Sequence, residues 1–244
     1  MKLSFIVTSY NYSNYVEETI KSIQNQDFDD FEIIVVDDFS KDNSVEILKK
    51  IDGIKLICHN KNKGQLASII TGLKEAKGEY VSIIDSDDTI YPEYAKILFN
   101  ELSNSKVALV CCNGNETKDL TPQNAPVGGW YWSPMSCGML KKEVLTCILD
   151  YKNTNLWKIC PDKLLFNLAH LQGNSRIINQ TLVNKRNHEK NAGNSKFRFF
   201  INLKNNILIR HELSKILKNA EYNKIIAKSY THLFNQIINF CNIK

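Results

Sequence analysis

The sequence lacks the cysteine patterns and the long apolar runs that mark several classes of protein. Its seven cysteines are odd in number, scattered and free of any C-x-x-C pair, so they indicate neither a disulfide framework nor a zinc site. No apolar run approaches the length needed to span a bilayer, and Leu3 to Val7 is too short for the apolar core of a signal peptide. We therefore expect a protein of the reducing cytoplasm that neither spans a membrane nor is exported through a signal peptide.

Acidic residues are scarce in the second part of the chain. Residues 151–244 carry 16 lysines and arginines against 4 aspartates and glutamates, whereas residues 1–150 carry 15 against 22. Such asymmetry indicates an anionic partner for the basic part, which a membrane surface or a nucleic acid would satisfy. From Lys196 onward we predict two helices. They either pack on the rest of the domain as an appendage or rest on an anionic membrane as basic amphipathic segments.

Strands and helices alternate through the first 112 residues. The predicted strands are nearly continuous apolar runs, and helices with apolar residues at helical spacing follow them. This alternation predicts an α/β fold with a mainly parallel sheet that is covered by helices on both faces. The predicted strands are Leu3 to Val7, Phe31 to Val36, Ile54 to Ile57, Tyr80 to Ile84 and Val107 to Cys111.

Polar clusters follow three of these strands. Thr8 to Asn11 follows the first strand, Asp37-Asp38 the second, and Asp85 to Asp88 the fourth. Ligands of such sheets bind beyond the carboxyl ends of the strands, so these clusters should line one rim. Polar residues that merely begin loops would explain any one cluster but not the acidic pairs at two strand ends.

The acidic end of the fourth strand is the strongest chemical signal. Asp85, Asp87 and Asp88 place three carboxylates within four residues, and like charges that close repel one another. A hard divalent cation such as Mg²⁺ or Mn²⁺, shared with a phosphate group, would relieve that repulsion. The cluster therefore predicts metal and nucleoside-diphosphate chemistry. The alternative is that the acidic residues cap a helix that starts near Pro92.

The alternation stops after Cys112. Residues 113–135 form a long segment with the aromatic trio Trp130-Tyr131-Trp132, which either stacks on a sugar or packs in the core. We predict a short strand over Ser136 to Leu140, a helix over Lys142 to Leu149 and another that opens with Pro161-Asp162. The helix dipole alone accounts for Asp162 at that position.

The ordered motifs around Thr8-Ser9-Tyr10-Asn11, Asp37-Asp38-Phe39-Ser40 and Asp85-Ser86-Asp87-Asp88 resemble the nucleotide-sugar domain of family 2 glycosyltransferases, which have the GT-A fold. The resemblance covers roughly residues 3–112 well and 136–195 more loosely. It implies that Thr8 and Asp38 contact the base, usually uracil, and that Asp85 lies at the ribose. Asp87 or Asp88 would bind Mn²⁺ or Mg²⁺. The remaining residues that it places at the nucleotide sugar are Tyr10, Asn11, Lys63, Gly64 and Ser86.

The later part of the family pattern supplies two further candidates. Asp162 matches an acidic residue that opens a helix near the acceptor, although Pro161 stands where the family usually has an acidic residue. His188 matches a late histidine that contacts the metal or the phosphates. Two departures lie in the first part: Thr8-Ser9 stands where many members have a proline, and Phe39 stands where glycine is usual.

The resemblance implies a metal-dependent, inverting transfer of a sugar from a nucleoside-diphosphate sugar to a hydroxyl of a glycan or lipid-linked acceptor. Residues 1–112 would be the nucleotide-sugar half, 113–195 the acceptor half and 196–244 a basic helical extension, without a nucleic-acid partner. Two other functions stay open. One is a nucleotide-sugar-binding module without a catalytic base, and the other is a phosphatase of the haloacid-dehalogenase type, because Asp85 to Thr89 matches D-x-D-x-T. A receiver domain fits less well, since its first acidic pair would follow the first strand.

Overall fold

The computed structural model describes residues 1–103, 106–115, 133–158, 161–186, 188, 198–218 and 222–224, with the backbone alone for 198–207. The first half alternates strands and helices as the sequence predicts. Its elements are β1 (Leu3–Ser9), α1 (Val16–Gln24), β2 (Phe31–Asp37), α2 (Ser44–Leu48), β3 (Ile54–Cys58), α3 (Gln65–Glu75) and β4 (Tyr80–Asp85).

The second half mixes strands of two to eleven residues with α-helices and 3₁₀ helices. It contains β5 (Thr89–Ile90), α4 (Tyr94–Leu102), β6 (Val107–Gly114), β7 (Gly138–Lys141), α5 (Asp162–Gln172), β8 (Asn174–Asn184) and α6 (Arg198–Leu217). Three 3₁₀ helices cover Met135–Cys137, Lys142–Ile148 and Thr154–Trp157. The trio Trp130 to Trp132 and the residues from 225 onward, which were predicted to include a second C-terminal helix, lie outside the described residues.

The eight strands form one sheet in the order β3-β2-β1-β4-β7-β6-β8-β5. The pairs β1/β2, β1/β4, β2/β3 and β6/β8 are parallel, whereas β4/β7, β6/β7 and β5/β8 are antiparallel. The predicted mainly parallel sheet is therefore confirmed. Because β1, β2 and β4 run side by side in one direction, their carboxyl ends meet at one rim.

Both faces of the sheet are covered because its inner strands are apolar on both sides. Successive side chains of a strand point to opposite faces. In β1, Ile6 belongs to a core cluster with side chains of α3, α5 and α6, while Phe5 and Val7 belong to a second cluster with α1, α2 and α4. On the first face α3 lies so close to β1 that a Cβ on Gly72 would stand 2.5 Å from Ile6 Cγ2.

Several local features differ from what the sequence suggests. Tyr15, which precedes the first residue of α1, provides no side-chain cap, and the Ser13 N–H donates to Asp42 Oδ2. The segment 142–148 is a 3₁₀ helix rather than an α-helix. Thr89 pairs as part of β5, so the acidic cluster does not cap α4, whose cap position is Glu93. The eleven-residue β8 was not predicted at all.

The helix α6 packs on the domain. Ile209 and Leu213 are buried in the same core cluster as α3 and α5. The buried Glu212 accepts a hydrogen bond of 2.7 Å from the Tyr151 hydroxyl, which in turn accepts one of 3.1 Å from Trp157 Nε1. This part of the C-terminal region is thus an appendage of the core. Among the described residues, no helix combines the length and the apolar character needed to cross a bilayer.

We expect Leu213→Ala to lower the free energy of unfolding by about 2–4 kcal/mol, because the side chain is fully buried and its loss leaves a cavity. Denaturant unfolding measures the change. His211→Ala, on the exposed side of the same helix, is the matched control and should change stability by no more than about 0.5 kcal/mol. Equal, small effects of the two substitutions would show that α6 does not contribute to the core.

Candidate active site

The rim above β1, β2 and β4 brings the three predicted polar clusters together. Thr8 at the end of β1 pairs with Val36 of β2 on one side and with Asp85 of β4 on the other. Beyond the strands, the Asp38 N–H donates to the Ser9 carbonyl at 2.8 Å. The side-by-side placement that the parallel topology predicts is therefore confirmed.

Side chains join the loops after β1 and β2. The Asn11 N–H donates to Ser40 Oγ at 2.9 Å, and the Lys41 N–H donates to Asn11 Oδ1 at 2.7 Å. The fully buried Asp37 accepts hydrogen bonds from both the N–H and the hydroxyl of Ser40. Asp37 and Asn11 thus fix the shape of the rim, while the side chain of Tyr10 beside them is 43% exposed.

Phe39 adopts a backbone conformation that side chains disfavour. Its φ angle is +71°, in the left-handed region where the glycine usual in this motif would be unstrained. The ring is 36% exposed at the rim, and Lys41 Nζ lies 3.3 Å from its centroid. The positive φ angle at Phe39 is energetically unfavourable. The hydrogen bonds of the surrounding loops hold the backbone in this conformation.

Three polar contacts hold the Asp38 carboxylate. Its Oδ1 accepts from the Lys63 N–H at 2.8 Å and contacts His59 Nδ1 at 2.8 Å, while its Oδ2 accepts from the Gly64 N–H at 2.7 Å. Gly64 has a φ angle of +89°, and a Cβ there would stand 2.9 Å from Lys158 Cα. Lys63 and Gly64 therefore belong to the site through their backbone, and only glycine fits at the second position.

The three carboxylates at the end of β4 converge on one point. Oxygen atoms of Asp85, Asp87 and Asp88 all lie within 4.8 Å of one another. Gln65 Nε2 donates to Asp85 Oδ1 at 2.7 Å, and the Ser136 hydroxyl donates to Asp88 Oδ2 at 2.7 Å. The same Ser136 Oγ accepts from the Asp85 N–H at 3.0 Å. Gln65 and Ser136, neither of which was predicted as a site residue, thus hold the cluster together.

Burial and mutual repulsion disfavour the charged forms of this cluster. Burial, and then the charges of Asp88, Asp87 and Asp162, raise the pKa of Asp85 well above its usual value. Burial, and next the charge of Asp87, raise the pKa of Asp88 to about 6. The nearby Lys185 lowers both pKa values without offsetting these effects. An oxygen-ligand set with uncompensated negative charge is the kind of site that hard divalent cations bind.

Aromatic rings surround the third carboxylate, Asp87. His188 Nε2 lies 3.0 Å from Asp87 Oδ2, and the imidazole stacks on the Tyr15 ring with centroids 4.7 Å apart. The edge of Tyr12 contacts the same imidazole at 5.6 Å. Burial, followed by the charges of Asp87 and Asp85, raises the pKa of the Tyr12 phenol, so its hydroxyl lies close to these carboxylates. Tyr12 and Tyr15 were not selected from the sequence, although they follow the Thr8 to Asn11 motif directly.

Arg186 fastens the segment after β8 to the rest of the site. Its guanidinium donates to the Asp87 carbonyl, to the Tyr15 carbonyl, to Thr19 Oγ1 and to Glu18 Oε2. It also lies over the Tyr15 ring, 5.0 Å from the centroid. Because His188 follows two residues later, this anchor brings the histidine against Asp87. No role was predicted for Arg186 from the sequence.

The last two predicted site residues are buried. Ser86 is 1% exposed, and its carbonyl accepts a hydrogen bond of 2.9 Å from the Thr19 hydroxyl, which fixes the turn between Asp85 and Asp87. Asp162 is the first residue of α5 and is 6% exposed. Its negative charge is near enough to raise the pKa of Asp85. Asp162 therefore lies on the same side of the molecule as the carboxylate cluster.

The comparisons with known proteins agree on one family. The family model described as Glycosyl transferase family 2 matches residues 4–183. The chain is 42% identical over 94 residues to the GalNAc(5)-diNAcBac-PP-undecaprenol β-1,3-glucosyltransferase of Campylobacter jejuni, a match that covers 36% of this chain and 30% of that protein. Across eight curated relatives, the matched region covers between 15% and 66% of the relative's own length.

Two solved structures have the same fold. The crystal structure of S. aureus TarS 1-349 in complex with UDP-GlcNAc superposes with a TM-score of 0.72 at 21% identity, over 96% of this chain and 73% of that one. The mannosyltransferase PcManGT from Pyrobaculum calidifontis, in complex with GDP-Man and Mn²⁺, gives 0.66 at 17% identity, over 95% and 70%. These likenesses confirm the GT-A fold. The family model matches most of the chain, which excludes a phosphatase of the haloacid-dehalogenase type. The chain belongs to glycosyl transferase family 2.

Proposed function

We propose that this protein transfers a sugar from a UDP-linked donor to a hydroxyl of a glycan or lipid-linked acceptor, with inversion at the anomeric carbon and with Mn²⁺ or Mg²⁺ as cofactor. The observation that carries the proposal is the convergence of Asp85, Asp87 and Asp88 on the rim that also holds Thr8 and Asp38. Membership of glycosyl transferase family 2 supports a sugar-transferring enzyme. TarS with UDP-GlcNAc, PcManGT with Mn²⁺ and the undecaprenol-linked substrate in the name of the C. jejuni relative support the donor, the metal and the acceptor.

The carboxylate cluster fits a divalent metal. Asp87 and Asp88, with Asp85 beside them, offer oxygen ligands at mutual distances that one ion can bridge. Burial and the charges of neighbouring carboxylates raise the pKa values of Asp85 and Asp88, and a bound cation would oppose that effect. His188, in contact with Asp87, is the proposed further contact to the metal or the phosphates. Bound there, Mn²⁺ or Mg²⁺ would neutralise charge on the diphosphate leaving group.

The nucleotide is proposed to lie along the rim from Asp38 to Asp85. Thr8 and Asp38 would contact the base, Asp85 the ribose region, and Tyr10 and Asn11 would border the nucleotide. Lys63 and Gly64 contribute through the backbone segment that holds Asp38. Ser86 contributes through the turn that sets Asp85 relative to Asp87. Residues 1–112 would thus form the donor half and residues 113–195 the acceptor half.

Asp162 is the proposed catalytic base. In a single displacement the acceptor hydroxyl attacks the anomeric carbon and the bond to the diphosphate breaks, while the hydroxyl proton passes to a carboxylate. Asp162 is a buried carboxylate at the start of α5, and its negative charge is close enough to Asp85 to contribute to the raised pKa of that carboxyl. Membrane contact by the basic extension 196–244, which would suit a lipid-linked acceptor, has no support among its described residues and stays a prediction.

A screen of nucleotide sugars tests the proposal as a whole. We expect one UDP-sugar, added with Mn²⁺ or Mg²⁺, to raise the thermal unfolding temperature, and we expect EDTA to cancel the shift. Slow metal-dependent hydrolysis of the same donor would identify an enzyme. Binding without hydrolysis or transfer to any acceptor would favour the alternative, a nucleotide-sugar-binding module. If no nucleotide sugar stabilises the protein, the proposal is wrong.

We expect Asp87→Ala to lower the rate of transfer or donor hydrolysis at least about a hundredfold. The substitution removes a proposed ligand of the cation, and the cation is proposed to stabilise the leaving group. The variant should remain folded, as circular dichroism would show, since removal of one of three repelling carboxylates does not open the core. Asp42→Ala, at a carboxylate that accepts from the Ser13 and Ser44 N–H groups and lies outside the carboxylate cluster, is the control and should keep most of its activity. Full activity of Asp87→Ala would remove the metal role.

Asp162→Asn tests the base. An amide cannot accept the acceptor's proton, so we expect kcat to fall by about 10²–10⁴-fold while the affinity for the UDP-sugar stays within about threefold. Steady-state kinetics and calorimetry measure the two quantities. A loss of kcat below tenfold would argue against the assignment.

Tyr12→Phe tests the support of Asp87. The substitution keeps the ring against His188 but removes the hydroxyl that interacts with the charge of Asp87, so we expect the affinity for Mn²⁺ in the presence of UDP to fall about tenfold. Tyr15→Phe is the matched control, because it keeps the ring that stacks on His188, and should change the affinity less than threefold. Equal affinities in the two variants would contradict a supporting role for the Tyr12 hydroxyl.

A further inference from the structure

A buried histidine that the proposed transfer does not use lies against Asp38. His59 follows β3 and its side chain is 4% exposed. One ring nitrogen, Nδ1, lies 2.8 Å from Asp38 Oδ1, and the other, Nε2, lies 3.0 Å from the Thr71 hydroxyl on α3. The imidazole therefore connects the residue proposed to read the base with the helix behind it.

The protonation of the near ring nitrogen follows from its neighbours. Two backbone N–H groups, those of Lys63 and Gly64, already donate to Asp38, so its carboxylate acts as an acceptor. An unprotonated nitrogen facing a carboxylate oxygen at 2.8 Å would bring two lone pairs together. His59 Nδ1 thus carries a hydrogen and donates it to Asp38 Oδ1.

The number of acceptor positions left on Asp38 can then be counted. Each carboxylate oxygen accepts two hydrogen bonds. Oδ1 accepts from His59 and from the Lys63 N–H and is therefore full. Oδ2 accepts from the Gly64 N–H alone among the donors of the described residues, so it has room for one more.

We propose that His59 determines which base the site accepts. By filling Oδ1 it leaves Asp38 a single acceptor position, which suits the one imide N–H of uracil. Guanine presents two parallel donors, N1–H and the N2 amino group, and the second would be left without an acceptor in a buried site. His59 is thus a positioning residue that acts through Asp38. The inference rests on the proposed role of Asp38 in binding the base.

Three substitutions separate this role from a structural one. His59→Leu removes both polar contacts at similar volume. His59→Asn keeps a donor near the position of Nδ1 and so toward Asp38. His59→Gln places its amide near the position of Nε2 and so toward Thr71, without a donor for Asp38. Asn and Gln are both polar, so the two variants differ chiefly in whether the amide lies toward Asp38 or toward Thr71.

The measurement is the dissociation constant for UDP and for GDP, by calorimetry with Mn²⁺, of the full chain and its variants. We expect the unsubstituted protein to bind UDP more tightly than GDP. In His59→Leu and His59→Gln we expect UDP binding to weaken about tenfold and the preference for UDP to shrink by about tenfold or more. His59→Asn should keep both values within about threefold. If His59→Leu does not fold, the comparison of Asn with Gln gives the same test.

The possible failures are distinguishable. If the unsubstituted protein prefers UDP and all the folded variants keep that preference, or if Asn and Gln lose it equally, the role of His59 is overturned while the proposed function stands. If the unsubstituted protein prefers GDP, the assignment of His59 is overturned together with the UDP-linked donor. If it binds neither nucleotide, the proposed function fails, and this inference with it.

Discussion

Repulsion among the carboxylates of Asp85, Asp87 and Asp88 is the constraint on which the site depends. Three acidic side chains in a largely buried turn would separate, or take up protons, unless their surroundings held them. Each has a partner from a different part of the fold: Gln65 of α3 for Asp85, Ser136 before β7 for Asp88, and His188 after β8 for Asp87. The fold thus maintains a concentration of negative charge that a divalent cation would relieve.

The sheet explains how distant parts of the chain reach this point. The parallel strands β1, β2 and β4 end together and define the rim, and β7 lies beside β4, which brings Ser136 next to the cluster. On the far side β8 pairs with β5, the short strand directly after the acidic turn. Arg186 then ties the end of β8 to α1 and to the Asp87 carbonyl. The second half of the chain therefore completes a site whose charged residues come mostly from the first half.

Sequence reasoning succeeded where structure is local and failed where it is not. The strands β1 to β4 are nearly continuous apolar runs, and the polar motifs after β1, β2 and β4 could be placed on one rim by the rule for parallel sheets alone. The strand β8 was missed because it alternates exposed polar with half-buried residues and resembles a loop in composition. Four residues were missed because they contribute through contacts with residues that are distant in the sequence. They are His59, Gln65, Tyr12 and Arg186. The contact between Arg186 and Asp87 spans 99 residues, and no spacing rule reports it.

The account is tested most directly by the position of a bound metal ion. Crystals of the full chain grown with UDP and Mn²⁺, measured at a wavelength where manganese scatters anomalously, would locate the ion without reference to activity. The account predicts one strong peak within about 2–2.5 Å of carboxylate oxygens of Asp87 or Asp88, with the diphosphate on its other side. A diphosphate bound on the Asp38 rim with no ion at this cluster, or manganese bound elsewhere, would contradict it.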